Sequence, residues 1–384
     1  MECKKLFDCI DGLYEEYLQK WATICNMESP TMNKELIDKL GNYFIEIAKQ
    51  KGWQTEVFES VTGNVVCLTM NADAKKAPIS LSAHMDTVHP VGSFGSPAVT
   101  MDEEKIYGPG VTDCKGGLVA AWYAMDALSQ CGFTDRPVRL LLQSDEEAGS
   151  RPINKATIGY ICEKAKGSRA FFNLEGGLKD SACVERKGIV TYLLKVTGVE
   201  AHSSLCAISG SNAIAEAAHK ILELEKMKDH NGIVCNCGVI SGGTTHNTVP
   251  GYCEVRVNFR FVNAAQREQI AKRMQELADT VYVPGCKTEI EEFGFRPAME
   301  RVQRNLDLLA DINEIFANNG LSELKPFKCN GGSDAAQVTT AGIPCLDNLG
   351  PLGGNVHSPD EYAEKASLKE AAKRLASIIY CIKD

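Results

Sequence analysis

The sequence predicts an α/β protein: a mostly parallel sheet flanked by helices, interrupted by a second domain of ferredoxin-like βαββαβ order. Three observations predict it. Short continuous apolar runs, such as Ile79–Ala83 and Val138–Gln143, alternate with helical stretches in the first half. The middle reads strand, helix, two strands, helix, strand. The chain then ends in two further helical stretches that return it to the first domain. A length of 384 residues suits two domains better than one core.

Apolar residues recur at helical spacing from Leu6 to Trp21 and from Lys34 to Lys51, and Gly52 closes the second helix. Strands are expected at Gln54–Phe58 and Asn64–Met70, and a buried one at Ile79–Ala83 leads into His84. Gly116–Gln130 is apolar on most faces and reads as a core helix ending at Cys131–Gly132. Val138–Gln143 and Arg169–Leu174 read as further buried strands. In the middle, Ile189–Val196, Ile233–Ile240, Tyr252–Phe261 and Lys287–Phe293 are expected strands. Ser211–Met227 and Ala264–Val281 are the expected helices between them. Helices near Leu306–Asn318 and Ser367–Ile382 complete the chain. Boundaries near Lys187 and Pro297 divide it into residues 1–187 with 298–384, and an inserted domain of residues 188–297. No internal repeat or low-complexity segment is visible.

The net charge of −9 argues against nucleic acid or an anionic membrane as a standing partner. The 16 cysteines are scattered, with no Cys-x-x-Cys. A disulfide scaffold is usually short and loop-rich, so reduced and mostly buried thiols are expected. The first residues, MECKKLFDCIDGLYEEYLQKW, carry acids throughout and no apolar signal core. No stretch has the length of a membrane span. A soluble, cytoplasmic protein is the expectation.

Several acids and imidazoles stand just past the apolar runs. ISLSA precedes His84, VRLLLQS leads to the acid cluster with Glu146 and Glu147, and AFFNL precedes Glu175. Asp113 follows the Gly-rich turn YGPGVTD, and His357 lies in GPLGGNVHSPDEY. Ligands of open α/β sheets collect outside the carboxyl ends of the strands. Imidazoles and carboxylates converging there suit zinc, and a bridging carboxylate suits two metals. Alone, a loop histidine is more often a surface hydrogen-bonding residue, and a Glu–Glu pair more often a solvated loop. The joint placement is what points to a metallohydrolase.

SAHMDTV, YGPGVTDCKGG, SDEEAGS, NLEGG and GNVHSPDEY occur in this order. With these motifs the chain resembles the M20 family of dinuclear zinc peptidases and deacylases, from about His84 to its end. That family includes glutamate carboxypeptidases, tripeptidases, aminoacylases, acetylornithine deacetylase and succinyl-diaminopimelate desuccinylase. The resemblance implies a zinc-peptidase-like fold and two Zn2+, with Co2+ or Mn2+ as substitutes. It implies His84 and Glu175 on one metal, Glu147 and His357 on the other, and Asp113 bridging both. Asp86 would hold the His84 imidazole, as metal-bound histidines usually require. Glu146 would be the general base. A cis peptide bond is implied at Asp113–Cys114. NLEGG departs from the more usual acid–Pro–Thr form, which weakens any transfer of substrate specificity. Simple packing is expected for the thiol of Cys114.

A second set lies in the inserted domain. His202, in KVTGVEAHSS, resembles the family histidine that crosses into the partner subunit's site to stabilise the oxyanion. Asn247 in HNTVP and Arg260 in VNFRF match substrate-contacting positions. Arg256, of the same strand parity, is the possible confusion. The Asn330–Ala336 stretch, including Gly332 and Ser333, resembles a loop that lines the pocket with backbone donors. The resemblance therefore implies a homodimer formed through residues 188–297. His89, His219, His230 and His246 have no motif support. The expected reaction is hydrolysis of an amide bond in a short peptide or N-acyl amino acid bearing a free carboxylate. A deacylase of the acetylornithine or succinyl-diaminopimelate type is the alternative, and an inactive metal- or ligand-binding protein on the same scaffold the reading from another class.

Overall fold

In the computed structural model, which describes residues 3–151, 154–229 and 232–384, the chain divides into two units. The first comprises Met1–Glu185, Arg301–Lys328 and Ser333–Asp384; the second comprises Arg186–Glu300 and Cys329–Gly332. The short segment Cys329–Gly332 thus groups with the second unit, whereas sequence alone left it in the first.

The first unit is built on a six-stranded sheet. Its spatial order is Gln54–Phe58, Val65–Met70, Val138–Gln143, Ile79–His84, Ala170–Asn173, Cys345–Leu346. The last four run parallel; at one edge Val65–Met70 pairs antiparallel with Val138–Gln143, and Gln54–Phe58 pairs antiparallel with Val65–Met70. Val65–Met70, Ile79–His84 and Ala170–Asn173 are buried at every position. Strands covered on both faces carry such continuous apolar runs rather than an alternating pattern. The helix Lys115–Gln130 is buried through Leu128 and packs against the helices Lys4–Asn26 and Lys365–Cys381. Its first turn lies hard against the strand ends. A Cβ on Gly117 would stand 2.1 Å from the Leu174 carbonyl oxygen, and one on Gly116 2.3 Å from that of Val111. Only glycine permits this approach, which brings Asp113 close to Glu175.

The second unit has a four-stranded antiparallel sheet in the order Val234–Gly242, Tyr252–Phe261, Gly188–Thr197, Lys287–Arg296. Burial alternates along Gly188–Thr197, as in a sheet with one covered face. Val190, Tyr192, Leu194 and Val196 share a core with Ala213, Ala217 and Leu224 of one helix and Ile270, Met274 and Leu277 of the other. The strand and helix order is βαββαβ.

The structure also contains elements that periodicity did not reveal. The helix Ala156–Ala165 and the strand Ser181–Arg186 are two. The three-residue strands Lys105–Tyr107 and Tyr362–Glu364, which pair antiparallel, are others. The three-residue strands contain too few residues to display a period.

Candidate metal centre and active site

Three parallel strands end together. His84 pairs with Gln143 in register, and Ser82 pairs with Asn173. His84 is the last residue of its strand, Glu146 and Glu147 follow Gln143 by three and four positions, and Glu175 follows Asn173 by two. These side chains therefore collect at the carboxyl edge of the sheet. Loops bring in the other two: Asp113 precedes the Lys115–Gln130 helix, and His357 sits at φ 62° in its Gly-rich loop. The Asp113–Cys114 peptide bond is cis.

Asp113 stands at the centre. Its Oδ1 lies 3.0 Å from His84 Nε2, and its Oδ2 lies 3.2 Å from His357 Nε2. Glu175 Oε2 is 3.8 Å from His84 Nε2, and Glu147 Oε2 is 3.2 Å from His357 Nε2. Asp113 thus meets both imidazoles, with Glu175 nearer His84 and Glu147 beside His357. His84 is buried, and His357 is on the exposed side.

Asp86 is fully buried and does more than face the imidazole. The nearest atom to His84 Nδ1 is the Asp86 main-chain oxygen at 2.9 Å, with the carboxylate at 3.3 Å. That carboxylate accepts the main-chain N–H groups of Glu146 and Glu147, both at 3.2 Å, and the Thr31 hydroxyl at 2.9 Å. Next to the acid pair, buried Asp145 accepts the hydroxyls of Thr62, Ser150 and Thr157. Cys114 is buried, and its thiol donates to the Leu174 carbonyl at 3.1 Å. Asn173 and Asp347, which sequence reasoning passed over, complete the frame together with Ser333. Asn173 donates to Asp347 at 3.0 Å, and the buried Ser333 hydroxyl donates to the same carboxylate. The signal available for Asp347 was its place just past the short apolar run IPCL.

The crowding of acids shows in their protonation. Burial pushes Glu147 up to about 8 and Glu175 up to about 7. Burial opposes ionisation of Asp113 too, but the contacts with His357 and His84 outweigh it and hold its carboxyl far below the usual range. The hydrogen bond to Asp113 raises His357 to about 9. Burial thrusts the Cys114 thiol well up.

This donor set fits metal ions. It offers imidazole nitrogen and carboxylate oxygen at strand ends, the mixture that zinc accepts. Among the described residues, Glu147 Oε1 is buried with no hydrogen-bond partner, an arrangement that is costly unless something else satisfies the oxygen. The ligand atoms of His84, Asp113 and Glu147 lie within 4.8 Å of one another, as do those of His84, Cys114 and Glu175.

In the second unit, His202 pairs with Thr248 on a two-residue ladder, and Ser203 N–H donates to the Asn247 carbonyl at 2.9 Å. The structure thereby brings the His202 and Asn247 loops together. His202 is exposed, and its Nδ1 lies 2.8 Å from Ser204 Oγ. Arg260 is partly buried on its strand, with Nη1 3.5 Å from the Asn330 carbonyl, while Arg256 is exposed. Burial and the neighbouring Arg296 lower the Arg260 guanidinium's affinity for its proton. Gly332 belongs to this unit, where a Cβ would stand 2.8 Å from Arg296 Cδ; Ser333 belongs to the first. His219 is exposed and stacks on Tyr282, His246 is exposed, and His230 lies outside the described residues.

The profile of peptidase family M20/M25/M40 matches residues 80–380. The chain belongs to this family. Carboxypeptidase G2 of Pseudomonas sp. (strain RS-16) is 24% identical over 360 residues, covering 92% of this chain and 85% of that enzyme. Succinyl-diaminopimelate desuccinylase of Rickettsia felis is 24% identical over 357 residues, covering 85% of this chain and 90% of its own. The crystal structure of a tripeptidase from Staphylococcus aureus superposes with a TM-score of 0.78 at 21% identity, over 95% of this chain and 97% of that one. That likeness concerns the fold, a mixed α/β architecture with a mostly parallel sheet. As an M20 member the chain is a metal-dependent hydrolase, of a family that cleaves peptide or acyl-amino-acid amide bonds. Among the described residues, no helix is long and apolar enough to cross a membrane.

Proposed function

We propose that this M20 enzyme hydrolyses the amide bond of a short peptide or N-acyl amino acid that carries a free carboxylate. The observation that carries this reading is the Asp113 carboxylate, whose two oxygens face His84 and His357 at 3.0 and 3.2 Å. His84, Asp113 and Glu175 would hold one Zn2+, and Asp113, Glu147 and His357 the other, with Co2+ or Mn2+ as substitutes. When bound, the metals supply Lewis acidity, lowering the pKa of water and polarising the scissile carbonyl. Glu146, aimed through its backbone by Asp86, takes the proton of the attacking water and passes it to the leaving nitrogen. Arg260 suits the substrate carboxylate because its planar fork donates two parallel hydrogen bonds. Asn247 and the Gly332–Ser333 turn contribute further polar contacts, and His202 donates to the developing oxyanion.

Residues 188–297 form the proposed dimerisation domain, so that His202 acts in the site of a second copy. In support, Val239 and Ile240 on the edge strand Val234–Gly242 are each more than half exposed, and edge strands invite pairing. The 16 cysteines are mostly buried or half-buried, which suits a reducing cytoplasm. The names of the carboxypeptidase and tripeptidase relatives favour peptide substrates. The desuccinylase relative favours the second reading, an N-acyl-amino-acid deacylase. Turnover of zinc-loaded protein on matched panels of di- and tripeptides and N-acyl amino acids decides between them. Cleavage should require the free carboxylate, and substrates amidated there should resist. Absence of turnover on both panels would sink the proposal.

A further inference from the structure

Glu361 is a fully enclosed carboxylate close to the site, and the reaction described above gives it no role. Its side chain is met by four donors. Oε1 accepts the main-chain N–H groups of Thr112 and Asp113, both at 2.9 Å. Oε2 accepts the Gly110 N–H at 3.2 Å and lies 2.9 Å from Nε2 of His89, itself buried. The main chain adds two more ties: Gly108 N–H donates to the Glu361 carbonyl, and the Thr112 hydroxyl donates to the Tyr362 carbonyl at 2.6 Å.

A buried carboxylate persists only where donors compensate it. Three of the four donors come from one loop, residues 110–113, and that loop carries Asp113. The Asp113 amide is held directly, so the start of its side chain is held as well. Its two oxygens must each meet a different imidazole, at 3.0 and 3.2 Å. A small rotation of the loop would move one oxygen away from its partner. His89 fills the remaining side of the carboxylate, its ring edge-on to Phe94.

We propose that Glu361, with His89 as its donor, is the positioning residue that keeps the Asp113 carboxylate between the two metal subsites. The enzyme's grip on both metals then depends on a carboxylate that bonds to loop backbone rather than to metal. The inference rests on the reading of Asp113 as the shared ligand. Glu361→Gln replaces one oxygen by an NH2 group, which must oppose either the Thr112 and Asp113 amides or Gly110 and His89. His89→Phe removes the side-chain donor, whereas His89→Gln keeps one.

The test uses full-length protein stripped with a chelator and titrated with zinc against a chromophoric competitor, with circular dichroism to confirm folding. Glu361→Gln should keep the native spectrum yet bind zinc roughly 10- to 100-fold more weakly, the usual cost of losing such an outer partner. Its kcat should fall with KM little changed. His89→Phe should show the same pattern more mildly, and His89→Gln should restore it. A residue with a merely structural role would lower thermal stability and leave the zinc affinity of the folded protein unmoved. Wild-type affinity and kcat in folded Glu361→Gln would overturn the inference. If Glu361→Gln does not fold, the His89 pair decides by the same readouts. Asp113→Asn separates the two levels. If it leaves zinc binding intact, the shared-ligand reading itself fails. If it weakens binding while Glu361→Gln and His89→Phe do not, only the positioning inference fails.

Discussion

Asp86 holds Glu147 by its backbone: Oδ2 of Asp86 accepts the Glu147 main-chain N–H at 3.2 Å. Its other oxygen accepts the Glu146 N–H at the same distance, and its carbonyl faces His84 Nδ1. One buried residue therefore registers the end of strand Ile79–His84 against the loop after Val138–Gln143. Asp86→Ala should leave two amides without their acceptor and remove the carboxylate 3.3 Å from His84 Nδ1, while the main-chain oxygen at 2.9 Å stays. We expect zinc affinity to fall roughly 10- to 100-fold, as for other outer partners of metal ligands, together with a lower melting temperature. Unchanged zinc affinity in the folded variant would show that Asp86 serves the fold alone.

Glu146→Gln preserves size and should preserve metal content, because the five proposed ligands are untouched. Turnover should fall roughly 10²–10⁴-fold, the usual contribution of a positioned base. Metal analysis paired with steady-state kinetics checks this. Substantial retained activity would remove Glu146 from the role of base.

Zinc uptake should expel protons at neutral pH. At pH 7 the metal-free protein holds protons on His357, raised to about 9 by its bond to Asp113, and on Glu147, raised to about 8 by burial. Both must lose them to bind a cation. Release of more than one proton per protein is expected in calorimetry across buffers of different ionisation enthalpy. Affinity should rise with pH from 6 to about 9, as His357 and Glu147 give up the protons that zinc would displace. An affinity flat across that range would contradict the assignment of these two ligands.

Gly117→Ala raises helix propensity yet should destabilise. Its new Cβ would stand 2.1 Å from the Leu174 carbonyl oxygen, beside Glu175. A loss of about 1–3 kcal/mol, typical of overpacking, is expected in denaturant unfolding. Zinc affinity should fall as the helix start moves from the strand end. Gly159→Ala is the internal control: among the described residues nothing lies within 4 Å of where its added methyl would stand, so it should be neutral or stabilising by up to about 1 kcal/mol. Equal behaviour of the two variants would refute the close-approach argument.

His202→Ala should lose activity with its metals in place. Mixed with Glu146→Gln, it should regain part of the turnover, because some heterodimers combine an intact base with an intact His202 from the other chain. Subunit exchange must be demonstrated in the same samples, by mass or by fluorescence. Exchange without rescue, or a fully active monomer, would dispose of the shared site.

Strand-borne groups of the site were legible in the sequence. His84, the Glu146–Glu147 pair and Glu175 each stand at or within four residues of the end of a buried apolar run, so finding the strand locates the side chain. The strands Gln54–Phe58, Val138–Gln143 and Tyr252–Phe261 have the bounds that their residue patterns indicate. Asp113 and His357 were legible only through motif order, since their loops have no period. Burial repeats along an element, and that repetition is what a sequence displays.

Only the tertiary structure decided the rest. The Glu361–His89 contact joins residues 272 positions apart, and neither lies on a periodic pattern that marks the other. The Asp86 carboxylate turned out to serve the acid pair's backbone as well as the imidazole. Asp347 gained its role from Asn173 and Ser333, which reach it from separate segments. The segment Cys329–Gly332 left the first unit for the second. The physical reason is common to all four. Hydrogen-bond complementarity between loops exists only once distant segments are packed at specific distances, and no local pattern of apolar and polar residues encodes those distances.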